Sequence, residues 1–144
     1  MTSNKRTFMR AAIGVAVLAA FSINVQAADT LKVGLLATLE GPFAVPGQDG
    51  IRGAELALKQ KGGMAGGKKI EFIKGSSDGT PDKAVNATRK LVEQDKVQIM
   101  IGPLSGDEGV AVKNYAKSKA DITFVNGSSG AQAATLVDPS PNFF

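Results

Sequence analysis

The serine and the glutamate of residues 105–108 have the spacing of a helix start that could bind an anion. In Ser105-Gly106-Asp107-Glu108 the serine stands three residues before the glutamate, which is the pattern of a capping box. The first N–H groups of a helix have no intrahelical acceptor and lie at the positive end of the helix dipole, so they attract a carboxylate. Ser105 therefore has two interpretations: it caps its own helix, or it also binds an anionic group.

A second concentration of small polar residues is Asn126-Gly127-Ser128-Ser129-Gly130. Its Gly-Ser-Ser-Gly part is similar to a nucleophile elbow, but the five-residue Gly-x-Ser-x-Gly spacing fails at Ala131. The chain also has no histidine that could activate a serine. We therefore interpret this segment as a structural or ligand-binding loop and not as a catalytic one.

The absence of histidine and cysteine excludes the usual zinc sites and the Ser-His and Cys-His nucleophile pairs. Asp107 and Glu108 are adjacent, so on a helix they point in different directions, which favours helix-start residues over a magnesium site. Residues 62–68 match a phosphate-binding loop as far as its lysine, but Lys69 replaces the hydroxyl residue that would hold magnesium. That segment is predicted to be a turn. We expect a protein that is not an enzyme and that holds no cofactor and no metal.

Alternating strands and helices must position these segments. Apolar runs predict strands over 31–37, 97–101 and 122–125, and alternating polar and apolar residues predict a strand over 69–74. Helical spacing predicts one helix that Gly62-Gly63 stops, a second that Thr80-Pro81 opens with Thr80 as its cap, and a third from Ser105 to about Lys119. The alternation predicts an α/β fold, with a Rossmann-like parallel sheet and helices on both faces.

Ligands of such sheets bind outside the carboxyl ends of the strands. The loops predicted at that edge are 38–43, 102–106 and 126–130, so their residues should converge on one site. Residues 138–141 are rich in turn formers, and 142–144 resemble the start of a further strand. We therefore expect the sequence to be a fragment of a longer protein.

The first 27 residues have the three parts of a secretory signal peptide. Basic residues precede an apolar run from Ala11 to Phe21, and small residues follow up to Ala27. The run is about half the roughly 20 residues that a membrane-spanning helix needs. The 144-residue chain has 17 basic and 13 acidic residues, but three of the basic ones lie in this leader. The remainder is close to neutral, so a nucleic-acid partner is not expected.

The sequence resembles the type I periplasmic solute-binding proteins of ABC transporters, of the leucine/isoleucine/valine-binding group. The motifs that carry the resemblance cover residues 28–144, and their order and spacing are more specific than any one of them. They are Val33-Gly34-Leu35-Leu36, Gly41-Pro42-Phe43-Ala44 with Gly47, the stretch Gly50 to Leu58, Asp78 with Pro81 and Ala84, Lys90-Leu91-Val92, Ile101-Gly102-Pro103-Leu104-Ser105, and Phe124-Val125-Asn126-Gly127.

The resemblance implies a two-lobed receptor that closes over an amino acid, with residues 28–144 as most of its first lobe and residues 1–27 as the signal peptide. Ser105 matches a serine that meets the ligand carboxylate, Ser128 and Gly130 match positions that hold the carboxylate and the ammonium group, and Phe43 lies in the loop that lines the ligand side chain. The implied ligand-binding set is Ser105, Gly106, Ser128, Ser129, Gly130 and Phe43.

Two positions depart from the pattern of the group. Gly130 stands where related proteins often have threonine, and Pro46 stands where some have tryptophan. A branched-chain amino acid, an aromatic acid, an amide or another small carboxylate therefore all remain open as ligands. The implied partners are the membrane permease subunits of an ABC transporter, and the implied location is the periplasm. A periplasmic ligand-sensing receptor of the same fold is the alternative function.

Overall fold

The computed structural model describes residues 29–144, so the predicted signal peptide, residues 1–27, lies outside the described residues. This part of the chain alternates strands and helices, as the sequence predicts. In chain order the elements are β1 (Thr30–Thr38), α1 (Ala44–Gln60), β2 (Met64–Ala65), β3 (Lys68–Ser77), α2 (Pro81–Arg89), β4 (Ile99–Ile101), α3 (Gly106–Ala116), β5 (Thr123–Val125) and α4 (Gln132–Thr135). None of the helices in residues 29–144 has the length and apolar character needed to cross a membrane.

The five strands form one sheet in the order β2-β3-β1-β4-β5. β1 pairs in parallel with β3 and with β4, and β4 pairs in parallel with β5. The predicted parallel sheet is thus confirmed. The prediction of a simple turn over residues 62–68 is wrong, because Met64–Ala65 pairs antiparallel with the start of β3. Four glycines with positive φ flank this short strand, and that backbone freedom permits a tight hairpin that apolar periodicity does not reveal.

Helices cover both faces of the sheet. On one face, Val33, Leu35 and Ala37 of β1 pack with Ile51 of α1. On the other face, a larger core takes residues from α2, the helical turn after it, α3, β4 and β5, including Leu91 of that turn, Met100, Val112 and Phe124. Since β1 is buried on both sides from Val33 onward, its sequence from Val33 to Ala37 is a continuous apolar run and does not alternate.

The chain after α4 returns to the edge of the sheet beside β5. Phe143 forms a parallel bridge with Phe124, and their rings stack with centroids 6.4 Å apart. The Asn142 side-chain amide donates to three carbonyls at the end of α3, those of Ala116 (3.1 Å), Lys119 (2.7 Å) and Ile122 (2.9 Å). The expected start of a further parallel strand at residues 142–144 therefore has a counterpart in this bridge.

Helix α2 begins where the sequence predicts, but not by the predicted interaction. Thr80 is the N-cap residue, yet its side chain makes no capping hydrogen bond. Instead, the Thr80 hydroxyl donates to Asp78 Oδ1 over 2.6 Å, and the Thr80 N–H donates to the same oxygen over 3.0 Å. The charge-assisted hydrogen bond orients the hydroxyl toward the carboxylate two residues earlier, and the hydroxyl oxygen accepts from no N–H group of the helix.

Candidate functional site

Four loops meet at the carboxyl ends of the parallel strands, and together they are called the edge loops. They are residues 39–43 after β1, 78–80 after β3, 102–105 after β4 and 126–131 after β5. The β4 and β5 loops lie directly against each other, since a methyl group on Gly127 would be 3.1 Å from Gly102 Cα and closer still to Pro103 O. The convergence predicted for three loops is therefore present, and the β3 loop joins it.

Ser105 is the N-cap of α3, as predicted. Its Oγ accepts from the Glu108 N–H over 3.4 Å, and the Glu108 carboxylate accepts from the Ser105 N–H over 3.2 Å, which completes the capping box. The Ser105 hydroxyl donates to Gly79 O in the β3 loop over 3.4 Å. A ligand carboxylate that took a hydrogen bond from Ser105 would replace this contact with Gly79.

The β5 loop turns its two serines in opposite directions. Ser128 is exposed, whereas Ser129 is only 7% exposed. Ser129 lies against α3, where a methyl group on Gly109 would be 2.8 Å from Ser129 Cβ. Asn126 closes the loop by donating from Nδ2 to Ser129 O over 2.9 Å. Of the predicted residues in this loop, Ser128 and Gly130 are accessible to a ligand, while Ser129 packs against the helix.

Phe43 and Gly106 occupy two further sides of the edge. Phe43 ends a short 3-10 turn, Gly41–Phe43, and its ring is 48% exposed next to Gly79. Gly106 is the first residue of α3 and faces Ala131, whose Cβ would be 3.0 Å from a methyl group at Gly106. The predicted residues thus surround one edge, but they do not line one common cavity.

An apolar cavity of about 170 Å³ lies between α1 and the β4 and β5 loops. Ser128 is the predicted site residue that lines it, and Pro46, one of the two departures from the family pattern, lies on its α1 side. Its other lining residues are Leu35, Leu36, Ala37, Gly47, Gly50, Ile51, Ala54, Ile101, Gly102, Pro103, Leu104 and Gly127. The cavity suits an apolar group, with polar groups of the edge at its mouth.

The edge loops contain no lysine and no arginine. Their acidic side chains are already hydrogen-bonded: Glu40 accepts from Ser76 over 3.2 Å, and Asp78 accepts from Thr80. The Thr80 hydroxyl, followed by the Thr80 N–H, holds the pKa of Asp78 below its usual value. An anionic ligand would therefore be bound by main-chain N–H groups, hydroxyls and the α3 dipole, and not by an ion pair.

The family model described as "Periplasmic binding protein" matches residues 30–144. The chain belongs to the periplasmic binding protein family. This is a family of solute-binding proteins and not a class of enzymes. Within residues 29–144 no group of three or more Asp, Glu, His or Cys side chains could hold a metal ion.

Relatives of this periplasmic binding protein include amino-acid and benzoate binders. It is 28% identical over 108 residues to Leu/Ile/Val-binding protein homolog 7 of Brucella suis, covering 73% of this chain and 27% of the relative. A Rhodopseudomonas palustris ABC-transporter solute binding protein in complex with benzoate is 33% identical, with a TM-score of 0.75. The match covers 80% of this chain and 32% of that protein. A Streptococcus pneumoniae branched-chain amino acid transporter substrate binding protein in complex with isoleucine is 26% identical, with a TM-score of 0.71. This match covers 81% of this chain and 33% of that protein. The chain thus spans about a third of the length of these proteins.

Sequence reasoning missed one residue of this edge, Glu108, which it treated only as an acidic residue of the first helical turn. The periplasmic binding protein buries it completely, and its Oε2 accepts from the Thr38 hydroxyl over 3.1 Å as well as from the Ser105 N–H. The available signal was the hydroxyl residue Thr38 at the end of an otherwise apolar strand, which needs a partner once it is buried.

Proposed function

We propose that this chain is a ligand-binding lobe of an ABC-transporter substrate-binding protein that captures a small carboxylate-bearing solute for uptake. The observation that carries the proposal is the start of α3. Glu108 N–H is held by Ser105 Oγ and Gly109 N–H by Ser105 O, so the Gly106 and Asp107 N–H groups precede the first intrahelical hydrogen bond. Gly106 lies against Ala131, which belongs to the same loop as the exposed Ser128 and Gly130.

We further propose a two-lobed receptor in which residues 28–144 form one lobe and residues 1–27 direct export to the periplasm. The relatives are about three times as long as the matched part, which supports a second lobe. Permease subunits of a transporter are then the partners of the complete receptor.

The ligand class follows from the cavity beside the N-terminus of α3. A carboxylate held at Gly106, Asp107 and Ser105 would leave an apolar group close to Ile101, Pro46 and the other apolar lining residues. Both isoleucine and benzoate have this combination, and each is bound by a solved relative. Branched-chain amino acids are the first candidates, and aromatic carboxylates are the second because of the similarity to the benzoate complex.

The test is a titration of the ¹⁵N-labelled chain with L-leucine and, separately, with sodium benzoate, followed by amide NMR shifts. One lobe supplies part of the ligand contacts, so a Kd of roughly 1 mM, or about −4 kcal/mol, is expected. The shifts should concentrate at Gly106, Asp107 and residues 127–130. Shifts that lie elsewhere on the lobe, or none for either compound at tens of mM, would refute the proposal.

Replacing Ser105 by alanine should weaken that binding by about 1–3 kcal/mol, because a hydrogen bond to a charged group is lost. The matched control is Ser118→Ala at the far end of α3, where the hydroxyl donates to Tyr115 O over 2.8 Å. This control should leave the affinity unchanged. Equal affinity for the two variants would remove Ser105 from the site.

A further inference from the structure

Glu108 is a carboxyl group in an unusual place. The glutamate of a capping box normally lies at the surface of its helix, where water can donate a hydrogen bond to its second carboxylate oxygen. Here the residue is 0% exposed, and no lysine or arginine of residues 29–144 forms an ion pair with it. Burying a carboxyl group without a counter-ion costs several kcal/mol, so helix capping alone does not account for it.

One oxygen of Glu108 joins the end of β1 to the β4 loop. Oε2 accepts from the Ser105 N–H over 3.2 Å and from the Thr38 hydroxyl over 3.1 Å. Thr38 is the last residue of β1 and precedes the loop of Phe43, and Ser77 at the end of β3 donates to the Thr38 hydroxyl over 3.4 Å. The ends of β1 and β3 and the start of α3 are thus fixed through one side chain.

The second oxygen does not take part in this arrangement. Oε1 is buried and has no hydrogen-bond partner among the described residues. Leaving a buried acceptor unsatisfied costs about 1–3 kcal/mol, so the side chain contributes little net stability to the lobe. The side chain instead fixes the positions of Ser105 and Thr38. A binding site requires supporting residues of this kind, because they hold the ligand-contacting groups in place.

We propose that Glu108 is a positioning residue of the candidate site: through Oε2 it holds the N-terminus of α3 and the end of β1 in the arrangement that receives the ligand. Its role in ligand affinity rests on the proposed function. Its role in ordering Ser105 does not, and the two can be measured separately.

The variants are Glu108→Gln and Glu108→Ala, with Asp82→Asn and Asp82→Ala as matched controls. Glutamine keeps one oxygen that can accept from both Ser105 and Thr38, whereas alanine removes the acceptor. Asp82 is an exposed acid in the first turn of a different helix, α2, so its variants change the charge at a helix start without altering Ser105 or Thr38. Hydrogen exchange of the Ser105 amide is measured without ligand, and affinity is measured with L-leucine and sodium benzoate.

In Glu108→Ala, we expect the Ser105 amide to exchange at least tenfold faster than in the unaltered chain and binding to weaken about tenfold or more. Glu108→Gln should restore the exchange rate and the affinity to within about threefold of the unaltered chain, and the Asp82 variants should change neither. Should Glu108→Ala fail to fold, Thr38→Val replaces it, because valine removes one of the two hydrogen-bond donors to Oε2. This variant should weaken ligand binding and should change the exchange rate of the Ser105 amide by no more than about threefold.

Two results would overturn the proposal. One is unchanged Ser105 exchange in Glu108→Ala. The other is exchange that rises uniformly over the whole lobe with no rescue by glutamine, which is the signature of a merely structural role. If the unaltered chain binds neither compound, the proposed function fails, and the ligand-free exchange of Ser105 still decides whether Glu108 positions the loop.

Discussion

The contact between Gly109 and Ser129 allows a direct test of how the β5 loop is seated on α3. Gly109 lies inside the helix and is buried, and a methyl group there would be 2.8 Å from Ser129 Cβ and closer still to its Oγ. Gly109→Ala therefore sets two effects against each other. Alanine favours the helix by about 1 kcal/mol over glycine. Overpacking against the loop costs about 1–3 kcal/mol.

The net expectation is that Gly109→Ala lowers the free energy of unfolding by about 0–2 kcal/mol. Gly53 in α1 is the matched control, since nothing lies within 4 Å of a methyl group at that position. Gly53→Ala should therefore raise the free energy of unfolding by up to about 1 kcal/mol. The two substitutions share their chemistry and their secondary structure and differ in what lies beside them.

Urea unfolding followed by circular dichroism measures both changes, which suits a chain with one tyrosine and no tryptophan. Ser129→Gly provides the second arm of a double-mutant cycle, because it removes the side chain with which the methyl group of Gly109→Ala clashes. In that background Gly109→Ala should stabilise the protein as Gly53→Ala does, with a coupling energy of about 1–3 kcal/mol. If Gly109→Ala stabilises equally with and without Ser129, the loop is not packed on α3 as described.

Two further predictions concern a buried lysine and an exposed aspartate. The Lys113 ammonium donates to the carbonyls of Ala133, Val137 and Asp138 over 3.0–3.1 Å. Lys113→Met should therefore lower the free energy of unfolding, measured in urea, by about 2–3 kcal/mol. Lys117→Met, which breaks one surface ion pair, should lower it by less than about 1 kcal/mol. Because its folded-state pKa is lowered, Asp78 contributes stability above the usual carboxyl range that is lost as pH falls through the lowered pKa. Carboxyl NMR should show Asp78 titrating below an ordinary aspartate, and Thr80→Ala should raise its pKa; an unchanged pKa in that variant would contradict the assignment.

The parallel sheet could be predicted because its evidence is local and repeated. The run from Val33 to Ala37 is apolar on both sides of the strand, which is the pattern of a strand covered by helices on two faces. The Ser105 capping box is equally local, since both partners lie within one turn of helix. The order of strands and helices then placed the loops at one edge without any knowledge of their contacts.

The orientation of individual side chains at that edge could not be predicted in the same way. Ser128 and Ser129 are adjacent and chemically identical, yet the space left by Gly109 on another element decides which one is buried. Glu108 is buried because Thr38, 70 residues earlier, approaches it across the sheet edge. The cap of α2 fails for a local reason: the Thr80 hydroxyl is oriented toward Asp78, and its oxygen accepts from no N–H group of the helix.

The charge distribution of the edge limits what this lobe can select. Since the edge loops have no lysine or arginine, dipoles and hydroxyls would have to hold the carboxylate of a ligand in the proposed site, and amino acids and aromatic acids share that group. The two classes differ in the ammonium group, which needs free acceptors. Glu40 and Asp78 are the carboxylates of the edge loops, and both already accept hydrogen bonds from the lobe itself. An ammonium group would therefore compete with these hydrogen bonds for the carboxylates of the edge loops, and we expect the isolated chain to bind L-leucine and benzoate with similar affinity.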